Sequence, residues 1–188
     1  MNLTVPNLLS LLRMGIIPLF VIAMLNGQPG RALLLFVVAG LTDALDGLIA
    51  RFWNQSSVLG MYLDPMADKL LLVTAYVMLS VPSLNPVSSI PVWVTVLVIA
   101  RDVLLVVVAL ILHLAQGVGR FPPTLLSKVN TVLQISTVIV VLATASWPRL
   151  ETFATGLIFA VPVFTLLSGL DYTLRINRMA KAPDPEVR

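Results

Sequence analysis

Four aspartates stand in one short stretch, DALDGLIARFWNQSSVLGMYLDPMADK, residues 43–69. Asp43 and Asp46 are three residues apart and Asp64 and Asp68 four apart, spacings that put each pair on one face of a helix. Gly47 follows Asp43 by four residues and Ala50 follows Asp46 by four, so the first face carries almost no bulk. Gly60 precedes Asp64 by four and extends the second face in the same way. Eight residues lie between Arg51 and Gly60, which fits a short turn packing the two helices antiparallel. The expected result is four carboxylates facing one another over a floor of small residues.

Such a cluster is costly in apolar surroundings. One Asp at the centre of a membrane helix costs roughly 2.5–3.5 kcal/mol, and less near the interface. Four that repel one another approach the whole ~5–15 kcal/mol stability of a typical fold. Protonation would relieve part of this, and divalent cations relieve it more fully. The chain has no Cys and one His, His113, so an all-oxygen donor set points to Mg²⁺ or Mn²⁺ over Zn²⁺. Four carboxylates are enough for two ions, the arrangement that clamps both oxygens of an in-line phosphoryl displacement. Asp43, Asp46, Asp64 and Asp68 are therefore the expected metal ligands. Gly47, Ala50 and Gly60 leave space for a bulky ligand, and Arg51 offers a fork for phosphate. The plainer reading, charges at helix ends exposed to water, suits a lone Asp better than two same-face pairs.

The elements that must position these residues are apolar. The chain is 188 residues long, 58% hydrophobic and 11% charged, with a mean hydropathy of +0.97. A soluble domain carries about 25% charged residues, so this composition belongs to a polytopic membrane protein. Apolar runs predict six spans, near 8–26, 30–53, 58–81, 89–115, 124–146 and 150–175, separated by turn signals such as Asn26-Gly27-Gln28-Pro29-Gly30 and Trp147-Pro148. The expected fold class is all-α, a six-helix transmembrane catalytic domain over 1–178 with a flexible cytoplasmic tail over 179–188. The N-terminus lacks a basic region and a small-residue cleavage site and reads as retained. With both ends cytoplasmic, that side and its adjoining helix ends gain nine basic residues, among them Arg13, Arg51, Lys69, Arg120 and Lys128, while the opposite side keeps Arg31 and Arg149. The acidic stretch then lies at and just inside the cytoplasmic face. The net charge of +3 comes without a basic run or aromatic-basic interleaving, so no nucleic-acid partner is expected.

Asp43-x-x-Asp46-Gly47-x-x-Ala50-Arg51, eight residues, then Gly60-x-x-x-Asp64-x-x-x-Asp68 resembles the signature of the CDP-alcohol phosphatidyltransferases at every fixed position. The resemblance extends to the six-span layout. It implies an integral membrane enzyme, usually a homodimer, that moves a substituted phosphate from a CDP-linked lipid to an alcohol and releases CMP. It further implies that all four aspartates ligate two ions and that Asp68 takes the proton from the acceptor hydroxyl. By the same resemblance Gly47, Ala50, Arg51 and Gly60, with Asn7 of the Val5-Pro6-Asn7-Leu8-Leu9-Ser10 run, line the CDP pocket. The implied setting is a bacterial-type inner membrane or the mitochondrial inner membrane, with the site and both termini on the cytoplasmic or matrix side.

Two branches of the family resemble the flanking motifs: phosphatidylglycerophosphate synthases and the eukaryotic-type cardiolipin synthases. Glycerophosphate-using members typically carry Lys-x-Lys-Thr in the fifth helix, where a second Lys suits a dianionic phosphate. Here Ser127-Lys128-Val129-Asn130-Thr131 places a neutral amide at that position. Arg101-Asp102 in the fourth helix is similar to the cardiolipin-forming branch, and no second Arg follows along that helix. Arg101, Lys128 and Asn130 are thus the expected acceptor-binding residues. CDP-diacylglycerol and phosphatidylglycerol are the expected substrates, with glycerol-3-phosphate as the alternative acceptor. Lys128 could equally be a helix-end cation, and Arg101 with Asp102 a buried structural pair. A divalent-cation channel or transporter could also use membrane carboxylates, but a cluster on two adjacent helices without inverted repetition argues against it.

Overall fold

The turn signals fall where the chain reverses. The computed structural model describes the backbone of residues 5–53, 58–84, 89–116 and 124–180, and side chains within 11–42, 69–84, 89–108 and 124–174. These residues form six α-helices and no strand: α1 (Val5–Leu25), α2 (Pro29–Trp53), α3 (Val58–Leu79), α4 (Val92–Gln116), α5 (Leu125–Thr144) and α6 (Glu151–Ala180). A 3₁₀ turn, Pro148–Leu150, leads into α6, which runs two residues past the domain boundary expected from sequence. The remaining tail lies outside the described residues.

The ends of the helices follow from local chemistry. Gly27 takes φ +65, a left-handed conformation that costs a residue with a Cβ about 1–2 kcal/mol. From there the amide of Gln28 donates to the Ala23 carbonyl at 2.9 Å and that of Gly27 to Met24 at 3.0 Å, closing α1 with the paired bonds of a Schellman motif. At the start of α5 the Thr124 hydroxyl accepts from the Ser127 amide at 3.1 Å, capping the helix.

α5 sits centrally, packed against α2, α3 and α6, while α1 covers α2 and α3, and α4 bridges α3 and α6. Phe20, Met24, Phe36, Tyr76, Leu79, Val94, Val138 and Leu142 are buried together, with the Phe20 and Phe36 rings 6.2 Å apart. Gly30 lies beside Ser146, so the α1–α2 and α5–α6 turns share one end of the bundle.

The surface is more apolar than that of a soluble bundle, and the interior more polar. Leu12, Leu34, Leu41, Val96, Val106, Val132, Phe159 and Leu170 stand exposed, whereas Arg13, Arg101, Asp102, Asn130, Gln134 and Ser168 are buried. Apolar patches of that extent mark contact with another apolar phase. Among the described residues, Leu125–Thr144 and Pro148–Leu174 are long and apolar enough to cross a bilayer. The chain is a membrane protein.

Candidate active site

α2 continues unbroken through Asp43, Asp46, Gly47, Ala50 and Arg51, and α3 through Gly60, Asp64 and Asp68. Each set therefore keeps the register that puts its members on one helix face. The side chains of Asn7, Asp43, Asp46, Asp64, Asp68 and Arg51, with Gly47, Ala50 and Gly60, lie outside the described residues. The donor set remains one of hard oxygens on two helices, and that chemistry fits Mg²⁺ or Mn²⁺.

One residue beyond Asp68 the described side chains of α3 begin, and the first carries a charge. Lys69 of α3 donates to the Oδ2 of Asp102 on α4. The other Asp102 oxygen accepts from Arg101 Nη1 at 2.9 Å, although the two are neighbours in sequence. Arg101 Nη2 donates to the Ser127 hydroxyl of α5 at 2.8 Å and to the Ser168 hydroxyl of α6. A continuous polar chain, Lys69–Asp102–Arg101–Ser127/Ser168, thus crosses four helices. Arg101 and Asp102 are buried, and Lys69 is 40% exposed at the end of the chain. Both terminal nitrogens of Arg101 are engaged internally. Its bonds are those of a buried structural pair, with Nε left without a protein partner.

The seam continues along α5. Asn130 and Gln134, four residues apart, are wholly buried. Asn130 Oδ1 accepts from the Thr165 hydroxyl of α6 at 3.1 Å, while its Nδ2 and both amide atoms of Gln134 have no protein partner. Buried amides without partners are sites where water or a ligand group is expected. Lys128 is exposed. Two residues along a helix is a turn of about 200°, so Lys128 and Asn130 face opposite ways. Of the three acceptor residues expected from sequence, the fold brings Arg101 and Asn130 to one interior seam and leaves Lys128 outside it.

Beside this seam a cavity of about 150 Å³ opens between α2, α3 and α5. Phe36, Ala39, Gly40, Leu72 and Ile135 make its apolar wall, and Lys69 and Thr131 supply its polar groups. Sequence reasoning counted Lys69 only as a cytoplasmic-side charge and missed its place here. It treated Arg13 in the same way, yet Arg13 is 0% exposed on the α1 face that carries Ile16, Phe20 and Met24. Spacing held a usable signal for Arg13, because positions 13, 16, 20 and 24 share a helix face. Nothing local signalled Lys69, whose partner is thirty-three residues away.

The helical architecture and the paired carboxylate register define a family. The model for CDP-alcohol phosphatidyltransferases matches residues 3–168, and the chain belongs to that family. It is 36% identical over 178 residues to a cardiolipin synthase (CMP-forming) of Rattus norvegicus, covering 86% of this chain and 57% of that protein. The corresponding Homo sapiens protein is 35% identical over 178 residues, with 86% of this chain and 58% of the relative covered. A probable phosphatidylglycerophosphate synthase of Mycobacterium tuberculosis (strain CDC 1551 / Oshkosh) is 31% identical over 178 residues, covering 92% and 81%. The chain spans a little under three-fifths of the length of the rat and human relatives.

Proposed function

We propose that the chain is a cardiolipin-forming phosphatidyltransferase, joining the phosphatidyl group of CDP-diacylglycerol to phosphatidylglycerol with release of CMP. Asp43, Asp46, Asp64 and Asp68 would hold two Mg²⁺ or Mn²⁺ ions, which when bound neutralise the diphosphate of the donor. Gly47, Ala50 and Gly60 let the nucleotide approach the helix backbones, Arg51 binds phosphate, and Asn7 completes that pocket. Asp68 removes the proton from the acceptor hydroxyl. The freed oxygen forms a bond to the β-phosphorus as the bond from that phosphorus to the bridging oxygen breaks, and CMP leaves with the electron pair. General-base help of this kind contributes about 10²–10⁴-fold. Sinking the site into apolar helices lets both lipids keep their tails in the bilayer. The six helices all span, the termini and the site face the cytoplasm or matrix, and the enzyme works as a homodimer.

The observation that carries the acceptor choice is the neutral, wholly buried Asn130 beside the α6 hydroxyl of Thr165. A neutral amide suits the uncharged glycerol end of phosphatidylglycerol, whereas the terminal phosphate of glycerol-3-phosphate needs a second cation. Similarity to cardiolipin synthases over most of the chain supports the same choice. The second reading, phosphatidylglycerophosphate synthesis, is favoured by a relative that is matched over 81% of its length.

Detergent-purified protein supplied with CDP-diacylglycerol, Mn²⁺ and either labelled acceptor separates the two. Cardiolipin from phosphatidylglycerol is the expected product, and product from glycerol-3-phosphate alone refutes the acceptor. CMP from neither, accompanied by cation flux in liposomes, would place the carboxylates in a transport pathway.

A further inference from the structure

Among the described residues the charges of the seam do not balance. Lys69 and Arg101 carry two positive charges, and Asp102, which binds both, carries one negative charge. The other polar groups they meet, Ser127 and Ser168, are neutral. Among the described side chains the three therefore sum to one positive charge, with Arg101 and Asp102 buried and Lys69 partly exposed. A charge set against apolar surroundings calls for a counter-charge. Arg101 is buried and held at both terminal nitrogens, with its Nε left without a protein partner, whereas Lys69 is 40% exposed and is the cation open to a ligand.

Lys69 also stands at the polar part of the cavity between α2, α3 and α5. Apart from Lys69 and Thr131 the lining is apolar, with Phe36, Ala39, Leu72 and Ile135 supplying most of the hydrocarbon. An apolar cavity of about 150 Å³ is the size that accepts a benzene-sized group, about six carbons. Gly40 lines the same space, and a Cβ built on it would meet no atom within 4 Å. One cation beside a short hydrocarbon slot matches an amphiphile bearing a single negative charge, with chain following closely behind it. A phosphomonoester fits poorly, because it brings close to two negative charges and no chain.

We propose that Lys69, held in place by Asp102 and Arg101, binds the phosphodiester of the acceptor phospholipid, and that the first carbons of an acyl chain enter the α2–α3–α5 cavity. This rests on the transfer reaction proposed above and deepens it, making the acceptor a lipid recognised through one charge and one chain. The donor diphosphate is handled by the aspartates and Arg51, so the Lys69 subsite serves the second lipid.

Two measurements on the full chain in mixed micelles test it. In the first, Lys69→Gln raises the KM for phosphatidylglycerol about ten- to a hundred-fold, the worth of a charge-assisted hydrogen bond, while the KM for CDP-diacylglycerol stays as in wild type. Lys69→Arg restores most of the loss. Gly40→Leu, which fills the slot, raises the KM for phosphatidylglycerol but not the inhibition constant of glycerophosphoglycerol, which has the phosphodiester and no chain. A change in donor KM alone, or a loss of kcat with unchanged acceptor KM, overturns the assignment. The second measurement needs no turnover: phosphatidylglycerol, but not zwitterionic phosphatidylcholine, raises the Tm of wild type, and Lys69→Gln loses that shift. A shift that survives in Lys69→Gln sinks the subsite even if the enzyme is active. A Lys69-dependent shift in a protein that releases no CMP sinks the reaction and leaves the lipid subsite standing.

Discussion

At the scale of single residues the bundle separates side chains that react from those that hold others in place. Asp68→Asn is expected to nearly abolish CMP release, with CDP-diacylglycerol binding surviving better than in Asp43→Asn. Wild-type turnover in both would remove the aspartates from the mechanism, and stopped turnover with parallel binding loss would make Asp68 only a ligand. Chelation with EDTA should arrest turnover, and Mg²⁺ or Mn²⁺ in excess should restore it. Asp102 belongs to the other group, since it lies between Lys69 and Arg101 and is buried. Removing one partner of a buried ion pair costs about 3–5 kcal/mol, because the remaining charge loses its counter-ion. Asp102→Ala leaves two cations facing each other, so its Tm in detergent should fall well below that of Ser127→Ala, which removes one hydrogen bond. An unchanged Tm would show that the pair is not under tension in the membrane.

Among the elements, α5 packs against α2, α3 and α6, and its own start and packing decide where Asn130 and Ser127 stand. Thr124→Ala should cost about 0.5–2 kcal/mol through loss of the cap, while Thr124→Ser retains most of it, read as detergent Tm. The α1–α2 turn gives a comparable test. Gly27→Ala must adopt the left-handed backbone with a Cβ present, at about 1–2 kcal/mol. The α1–α2 turn was legible in sequence as punctuation, because Gly27 acts through its own backbone, whereas the Thr124 cap works through its side-chain hydroxyl and was not read from sequence. The α5 interior was less legible. Lys128 and Asn130 read together in sequence, yet a helix turns them to opposite faces, and only packing against α6 shows that Asn130 is the buried one. In the same way Arg101 read from sequence as an acceptor residue, with a buried Arg101-Asp102 pair as the alternative. The bonds to Ser127 and Ser168 favour the pair.

For the whole molecule, the apolar exterior predicts that the folded chain stays monodisperse only in detergent or lipid. Orientation can be read directly, since the chain has no Cys of its own. Leu125→Cys, at the start of α5, should react with an impermeant maleimide from the cytoplasmic side, and Trp147→Cys, in the α5–α6 turn, from the other. Labelling of both from one side would reject the proposed topology. Six helices among the described residues, their approximate ends and the helical register of positions 43, 46, 64 and 68 followed from the sequence, because apolar length, turn chemistry and a 3.6-residue period are local properties. Which charges meet did not, since that depends on residues far apart in the chain. Lys69, counted from sequence as a charge on a membrane face, meets Asp102 of another helix, and Arg13, counted in the same way, is buried on α1. The tertiary structure alone decided that Asp102 joins Lys69 to Arg101 and that a cavity opens beside them.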